Sequence, residues 1–281
     1  MIELVDIHFG YSKKKMLFKE LNLTMGAGHI YGLLGRNGAG KTSLLKIITG
    51  LVFPQRGVPT VMGKRSEKRI PEILSSIYFV TEEIYTPHLK IKDYVRNYGS
   101  FYPSFNLDQF NRYLQEFEII EQHVYIDKLS YGQKKKVHIS FALATNTPIL
   151  LMDEPTNGLD IPSKSIFRKI MASEAREDKI ILISTHQVRD LHSLIDSVII
   201  IDQGEIIFHE SNDRITEKLA FQIEEDNRDP SCFLYSEDNI RGRMVVRENT
   251  DSIETKLDIE LFFNALMSNK EKIRNIFKKQ N

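Results

Sequence analysis

Residues 35–42 read Gly35-Arg36-Asn37-Gly38-Ala39-Gly40-Lys41-Thr42, and this stretch decides the fold. It matches the pattern G-x-x-x-x-G-K-[ST]. Its glycines let the backbone wrap a triphosphate closely enough for N–H groups to point at the oxygens. Lys41 supplies a mobile positive charge for the outer phosphates, and Thr42 a hydroxyl for Mg²⁺. Immediately before it, the apolar run Ile30-Tyr31-Gly32-Leu33-Leu34 reads as a buried strand. Immediately after it, a helical pattern runs from Ser43 to Thr49 and is closed by Gly50. Strand, glycine loop and helix in that order form one unit of a doubly wound α/β sheet, and the helix adds its positive end to the phosphate site.

A loop of this kind needs a carboxylate at the end of a neighbouring strand to hold the cation. Pro148-Ile149-Leu150-Leu151-Met152-Asp153-Glu154 provides it, with four apolar residues followed by two acids. Alternation along a strand turns consecutive side chains to opposite sides, so Asp153 faces the cation and Glu154 can polarise an attacking water. Further strands are expected at Ile180–Ser184 and Ser197–Ile201, with Asp202-Gln203-Gly204-Glu205 turning into Ile206-Ile207-Phe208. The opening Ile2–Ile7 and Leu21–Thr24 alternate as strands do. From about residue 82 to 145 the pattern changes: Leu107, Phe110, Leu114 and Phe117 fall at helical spacing, which predicts a mostly helical insertion. Beyond Ser211 the chain turns polar, with an alternating stretch at Met244–Val246 and a last helical pattern from Leu257 to Phe277.

Composition bounds the partners. Among 281 residues, Lys+Arg and Asp+Glu both number 38, so there is no overall basic field to attract nucleic acid. No apolar run reaches the roughly 18 residues that span a bilayer, and the acidic start Met-Ile-Glu-Leu-Val-Asp does not read as a secretory leader. The single Cys232 has no partner for a disulfide, which suits a reducing cytoplasm.

Further motifs make the pattern specific. Pro155-Thr156-Asn157-Gly158-Leu159-Asp160 follows Glu154, Leu129-Ser130-Tyr131-Gly132-Gln133 stands upstream, and Ser184-Thr185-His186 stands downstream. In this order, with the phosphate loop, the set resembles the ATP-binding-cassette ATPases over about residues 1–208. The resemblance implies an α/β P-loop NTPase: a mixed sheet core, an N-terminal antiparallel β subdomain, an inserted helical subdomain and a small C-terminal accessory region. It places a cassette at residues 1–210 and the accessory region at 211–281. The family signature is Leu-Ser-Gly-Gly-Gln; here Tyr131 replaces the first glycine, while Ser130, Gly132 and Gln133 stand. In the family this motif grips the nucleotide of an opposing subunit across a twofold axis. His186 resembles the switch histidine at the γ-phosphate, and Asp160 the acid by which the subunits sense each other. Tyr11 lies where the family stacks an aromatic ring on adenine, with Phe9 as the competing ring. Glu82 stands where the family usually has Gln, between the Mg²⁺ site and the helical subdomain.

The resemblance therefore implies ATP and Mg²⁺ as cofactors. Gly35, Arg36, Asn37, Gly38, Ala39, Gly40, Lys41, Thr42 and Ser43 are expected on the phosphates, and Glu154, His186 and Lys41 in catalysis. Thr42, Asp153 and Glu82 are expected around the metal. It also implies a second ATPase subunit, the same chain or a different one, and a separate membrane permease driven towards export. That places the chain in the cytoplasm, peripheral on the inner face of the membrane. Ile84, Tyr85, Leu89, Tyr94 and Phe101-Tyr102-Pro103 read either as the permease contact or as the core of the helical subdomain. Two rival classes are a soluble cassette ATPase acting on ribosomes or DNA repair, and a module that binds nucleotide without turnover. The first usually brings two cassettes or a long insertion, and the second tends to lose Glu154 or His186.

Overall fold

A computed structural model describes residues 1–12, 15–224, 233–240 and 242–278; Cys232 lies outside the described residues. The chain opens with β1 (Ile2–Phe9) and β2 (Phe18–Met25), then β3 (His29–Leu34) and α1 (Lys41–Ile48) around the glycine loop. Next come β4 (Arg56–Val61), β5 (Lys64–Arg65), α2 (Pro71–Leu74) and β6 (Ile77–Val80). The helical stretch is α3 (Ile91–Gly99), α4 (Leu107–Glu116) and α5 (Tyr131–Ala144). The sheet resumes with β7 (Ile149–Asp153), α6 (Ile161–Glu174), β8 (Ile180–Thr185), β9 (Ser197–Asp202) and β10 (Glu205–Ser211). The remainder is α7 (Asn212–Lys218), β11 (Leu219–Glu224), β12 (Tyr235–Asn239), β13 (Gly242–Glu248), α8 (Ile259–Ser268) and α9 (Lys270–Lys278).

The central sheet has the order β10-β9-β3-β8-β7-β6, parallel except for the antiparallel edge strand β10. Its strands are apolar on both faces because both faces are covered. Ile30, Leu150, Met152, Ile181, Ile183, Val198 and Ile200 point into the core shared with α5, α6 and α8. Their neighbours Leu33, Ile149, Leu151, Ile180, Leu182, Ile199 and Ile201 pack against α1 and the antiparallel sheet β2-β1-β4-β5. The sequence reading missed β4 and β5: Gly57 and Pro59 sit inside β4 and break its pattern.

The helical stretch holds together through aromatic packing. Phe141 on α5 lies 4.9 Å from Tyr94, 5.1 Å from Phe105 and 5.6 Å from Tyr78, centroid to centroid. Tyr94, a candidate for a partner contact, is thus a core residue, while Tyr85 and Phe101 stand exposed. α4 is tied to the end of α6 by a buried polar cluster. Glu174 accepts from the Tyr113 hydroxyl, from Gln109 Nε2 at 2.8 Å and from Lys179 Nζ at 3.4 Å. Burial alone would push the Glu174 carboxyl up; Tyr113, Lys179 and Arg176 outweigh it and hold it below the usual range.

Past β10, the strands β11-β13-β12 form a third, antiparallel sheet. The expected final helix divides at Asn269 into α8, capped by the Asp258 side chain on the Leu261 N–H, and α9. Phe208 of β10 packs edge-on against Phe262 of α8 and Phe277 of α9, each at 4.9 Å. The C-terminal elements thus share the main core.

Two measurements check these buried charges. Glu174→Ala strands the buried Lys179 ammonium and is expected to cost about 3 kcal/mol in urea unfolding, whereas Glu174→Leu with Lys179→Met recovers most of it. His138 on α5 has a shielded Nε2 with no partner among the described residues. Burial, then the Lys135 charge, pushes its pKa to about 4. The folded chain keeps His138 neutral while the unfolded chain protonates near pH 6.5. Stability is therefore full above pH 6.5 and falls towards pH 4. Between pH 7 and pH 5 the wild type is expected to lose about 2 kcal/mol more than His138→Phe in urea titrations.

Candidate nucleotide site

The parallel strands β3, β8 and β7 end side by side, and their carboxyl ends with the start of α1 build one site. Gly40 precedes α1 with φ of 112°, a left-handed conformation, and a Cβ there would lie 2.5 Å from the Phe18 ring. No side chain caps this helix, so its first N–H groups stay available to an anion. Lys41 folds back over the loop, with Nζ donating to the Gly35 carbonyl at 2.7 Å and approaching that of Arg36 at 3.5 Å. Burial lowers its pKa, and the charges of Glu154, Asp153 and Glu82 oppose that shift.

Asp153 at the end of β7 is nearly sealed from solvent. Its Oδ2 accepts from the Thr42 hydroxyl at 2.7 Å, and its Oδ1 from the Ser184 hydroxyl. The next residue, Glu154, has φ of 47°, a left-handed conformation uncommon for a residue other than glycine. Its Oε1 lies 2.8 Å from His186 Nδ1, while Oε2 is buried with no partner among the described residues. A buried carboxylate oxygen without a donor is costly, so a group that donates to it, such as a water, is the expected occupant. Thr42, Asp153 and the nearby Glu82 offer hard oxygen ligands of the kind Mg²⁺ takes together with water and phosphate. The donor set fits that ion.

Tyr11, Arg36, Asn37, Gly38, Gly40, Lys41, Thr42, Ser43, Glu82, Asp153, Glu154 and His186 line one cleft of about 670 Å³. Tyr11 stands at its mouth, 68% exposed, with its hydroxyl 3.0 Å from Ser43 Oγ. The competing ring, Phe9, is buried. Gly35 and Ala39 shape the loop from behind; a Cβ on Gly35 would collide with the Ile201 carbonyl and lie 3.4 Å from the Ala39 Cβ.

Ser130, Gly132, Gln133 and Asp160 do not line this cleft. Ser130 and Gln133 form a capping box at the start of α5: Ser130 Oγ accepts from the Gln133 N–H, and Gln133 Oε1 accepts from the Ser130 N–H at 2.9 Å. Asp160 caps α6 by accepting from the Ser163 N–H at 2.9 Å, which holds its carboxyl below the usual range. Ser130, Gln133 and Asp160 are exposed, and Gly132 is partly so.

Sequence reasoning missed three residues around the site. Ser184 was quoted only as part of a motif, yet it clamps Asp153. Asn157 Nδ2 donates to Glu82 Oε1 at 3.3 Å. Lys135 is wholly buried and points at the Glu82 backbone. The run Lys134-Lys135-Lys136 reads as a solvated face, and the one usable signal was that Lys135 falls four residues after Tyr131.

Residues 18–157 match the family model described as ABC transporter. The chain is 34% identical over 218 residues to the ABC transporter ATP-binding protein NatA of Bacillus subtilis (strain 168), covering 74% of this chain and 88% of that one. It is 31% identical over 238 residues to the bacitracin transport ATP-binding protein BcrA of Bacillus licheniformis, covering 81% and 76%. Among solved structures, an ATP-binding subunit of an ABC transporter superposes with a TM-score of 0.69 at 25% identity, covering 76% of this chain and 91% of that one. The dimeric post-hydrolysis state of the cassette MJ0796, bound to ADP and Pi, gives a TM-score of 0.66 at 22% identity, covering 75% and 98%, and shares the fold. Relatedness over most of both chains and a site of this geometry lead to one conclusion: the chain belongs to the ATP-binding-cassette family, as a transporter ATPase.

Proposed function

We propose that two cassettes, each holding ATP with Mg²⁺, close face to face, hydrolyse the nucleotide and reopen, and that this cycle drives export through a separate membrane permease. Glu154 carries the reading: it is buried, lines the cleft, is held on one oxygen by His186 and has no partner on the other among the described residues. In the cycle Glu154 Oε2 accepts a proton from the attacking water, and His186 holds the carboxylate while its ring faces the γ-phosphate. Lys41 leaves the Gly35 carbonyl for the β- and γ-phosphates, and the N–H groups from Gly38 to Ser43 receive the remaining oxygens. Tyr11 offers its exposed ring to adenine. Thr42, Asp153 and Glu82 would hold Mg²⁺, which when bound neutralises phosphate charge. Ser130, Gly132, Gln133 and Asp160 face outward and so serve the nucleotide of the opposing cassette, a second copy or a related chain.

This reading treats residues 1–210 as the cassette and 211–281 as an accessory region. Among the described residues no helix is long and apolar enough to cross a membrane. The similarity to transporter ATP-binding proteins supports assigning the membrane step to a partner and this chain to the cytoplasmic face. The permease is assigned to the cleft of about 920 Å³ between α3 and the β6 edge. Exposed Leu51, Leu74 and Phe101 stand there beside Tyr98 and Pro103. An exposed apolar surface rimmed by polar groups is the kind that binds a protein partner.

Glu154→Gln is expected to lower Mg²⁺-dependent ATP turnover by about 10² or more, with ATP still bound and the protein shifted to a dimer in size-exclusion runs with ATP. Turnover by the Glu154→Gln chain at the wild-type rate sinks the assignment of Glu154. Separately, Phe101→Asp is expected to release the chain from the membrane fraction of its host while ATP binding by the purified protein stays within about twofold of wild type. Membrane association unchanged by Phe101→Asp argues against this docking face.

A further inference from the structure

Tyr131 and Lys135 lie four residues apart on α5, so their side chains leave the same face of the helix. Both reach one acceptor. The Tyr131 hydroxyl donates to the Glu82 carbonyl oxygen at 3.2 Å, and the Lys135 ammonium donates to the same oxygen at 3.4 Å. A second path joins the same groups. The Glu82 carboxylate accepts from Asn157 at 3.3 Å, and the neighbouring Gly158, with φ of 79°, sits so close under the Tyr131 ring that a Cβ would collide with its Cε1. The signature helix, the Glu82 segment and the loop after Glu154 thus form a closed ring of contacts within one chain.

Lys135 is 0% exposed. A buried ammonium is costly to the fold and persists where opposite charges compensate it. The compensating charges are those of Glu82, Asp153 and Glu154, the same carboxylates that act on Lys41. Three acids are therefore balanced by two ammonium groups, Lys41 from the phosphate loop and Lys135 from the helical subdomain. The Glu82 carboxylate adds negative charge beside a site built for an anion, and Lys135 offsets it. Lys135 does not line the nucleotide cleft, so it acts through Glu82.

We infer that Lys135, assisted by Tyr131, is a positioning residue of the ATPase site, anchoring the Glu82 segment to the signature helix. The inference rests on the reading of this cleft as the hydrolytic site.

The test is a double-mutant cycle on the full chain, reading Mg²⁺-ATP turnover and thermal unfolding for Lys135→Met with and without Glu82→Gln. Lys135→Met leaves the Glu82, Asp153 and Glu154 carboxylates with one ammonium fewer, so the unfolding temperature is expected to fall, and Glu82→Gln to restore part of it. The expected kinetic result is a roughly tenfold drop in kcat with KM for ATP within about threefold, of similar size in both backgrounds, because Glu82→Gln keeps the backbone carbonyl that Lys135 holds. A kcat within twofold of wild type, or a loss that disappears in the Glu82→Gln background, overturns the inference. Should Lys135→Met fail to fold, Tyr131→Phe decides: a drop of about threefold in kcat at unchanged KM supports the anchor, and no change overturns it. A wild-type chain that binds no ATP instead overturns the hydrolytic reading beneath the inference.

Discussion

The hydrogen bonds on Asp153 are what the rest of this structure is arranged around. A carboxylate that is nearly sealed from water must have its oxygens satisfied, and here two hydroxyls do it, Thr42 from the first turn of α1 and Ser184 from β8. Because β3, β8 and β7 are parallel neighbours, their carboxyl ends deliver Thr42, Ser184 and Asp153 to one point. The apolar residues on both sheet faces fix the strands, and the strands fix the donors. The next residue, Glu154, takes a left-handed φ of 47°, and its carboxylate lies against His186.

Charge balance is the second constraint, and it couples the subdomains. Few buried charges survive without partners. At the end of α6 Glu174 is held by Lys179, Arg176 and two groups of α4, a cluster away from the nucleotide cleft that locks α4 to α6. Nearer the cleft, Lys135 meets the Glu82 backbone in the segment that follows β6. The first cluster makes a firm joint, with several charge-assisted bonds on one acceptor. The second is a single long contact to a carbonyl, reinforced by the Tyr131 hydroxyl.

Much of this was legible in the sequence because it rests on local patterning. The phosphate loop, the strand ending in Asp153-Glu154 and the hairpin at Gln203-Gly204 each need particular residues at fixed spacing, and each element forms as read. The helical pattern of α4 was readable for the same reason: Phe110, Leu114 and Phe117 all turn into the core. What the sequence hid depends on distant residues meeting. β4 carries Gly57 and Pro59 and becomes a strand because β1 supplies its partners, with Leu4 opposite Pro59. Lys135 carries no local sign of its burial: Lys134 and Lys136 beside it are half-buried, and the Glu82 segment that it meets is distant in sequence. Tyr94 was ambiguous between core and partner surface until Phe141 closed over it.

The C-terminal elements extend the same logic beyond the cleft. α8 cannot be a free appendage, because Phe262 fills the space over Phe208 of β10 and would leave that edge of the sheet bare if withdrawn. Its outer face carries Glu260, which pairs with Arg189, three residues past His186. Both partners of that ion pair are well exposed, so by itself it contributes little stability. Its consequence is positional. Val188 and Leu191 are buried in the core that α8 completes, so the segment carrying His186 rests on α8 on one side and on the end of β8 on the other. A histidine that must meet Glu154 at hydrogen-bond distance needs a backbone that does not drift, and α8 supplies the second wall.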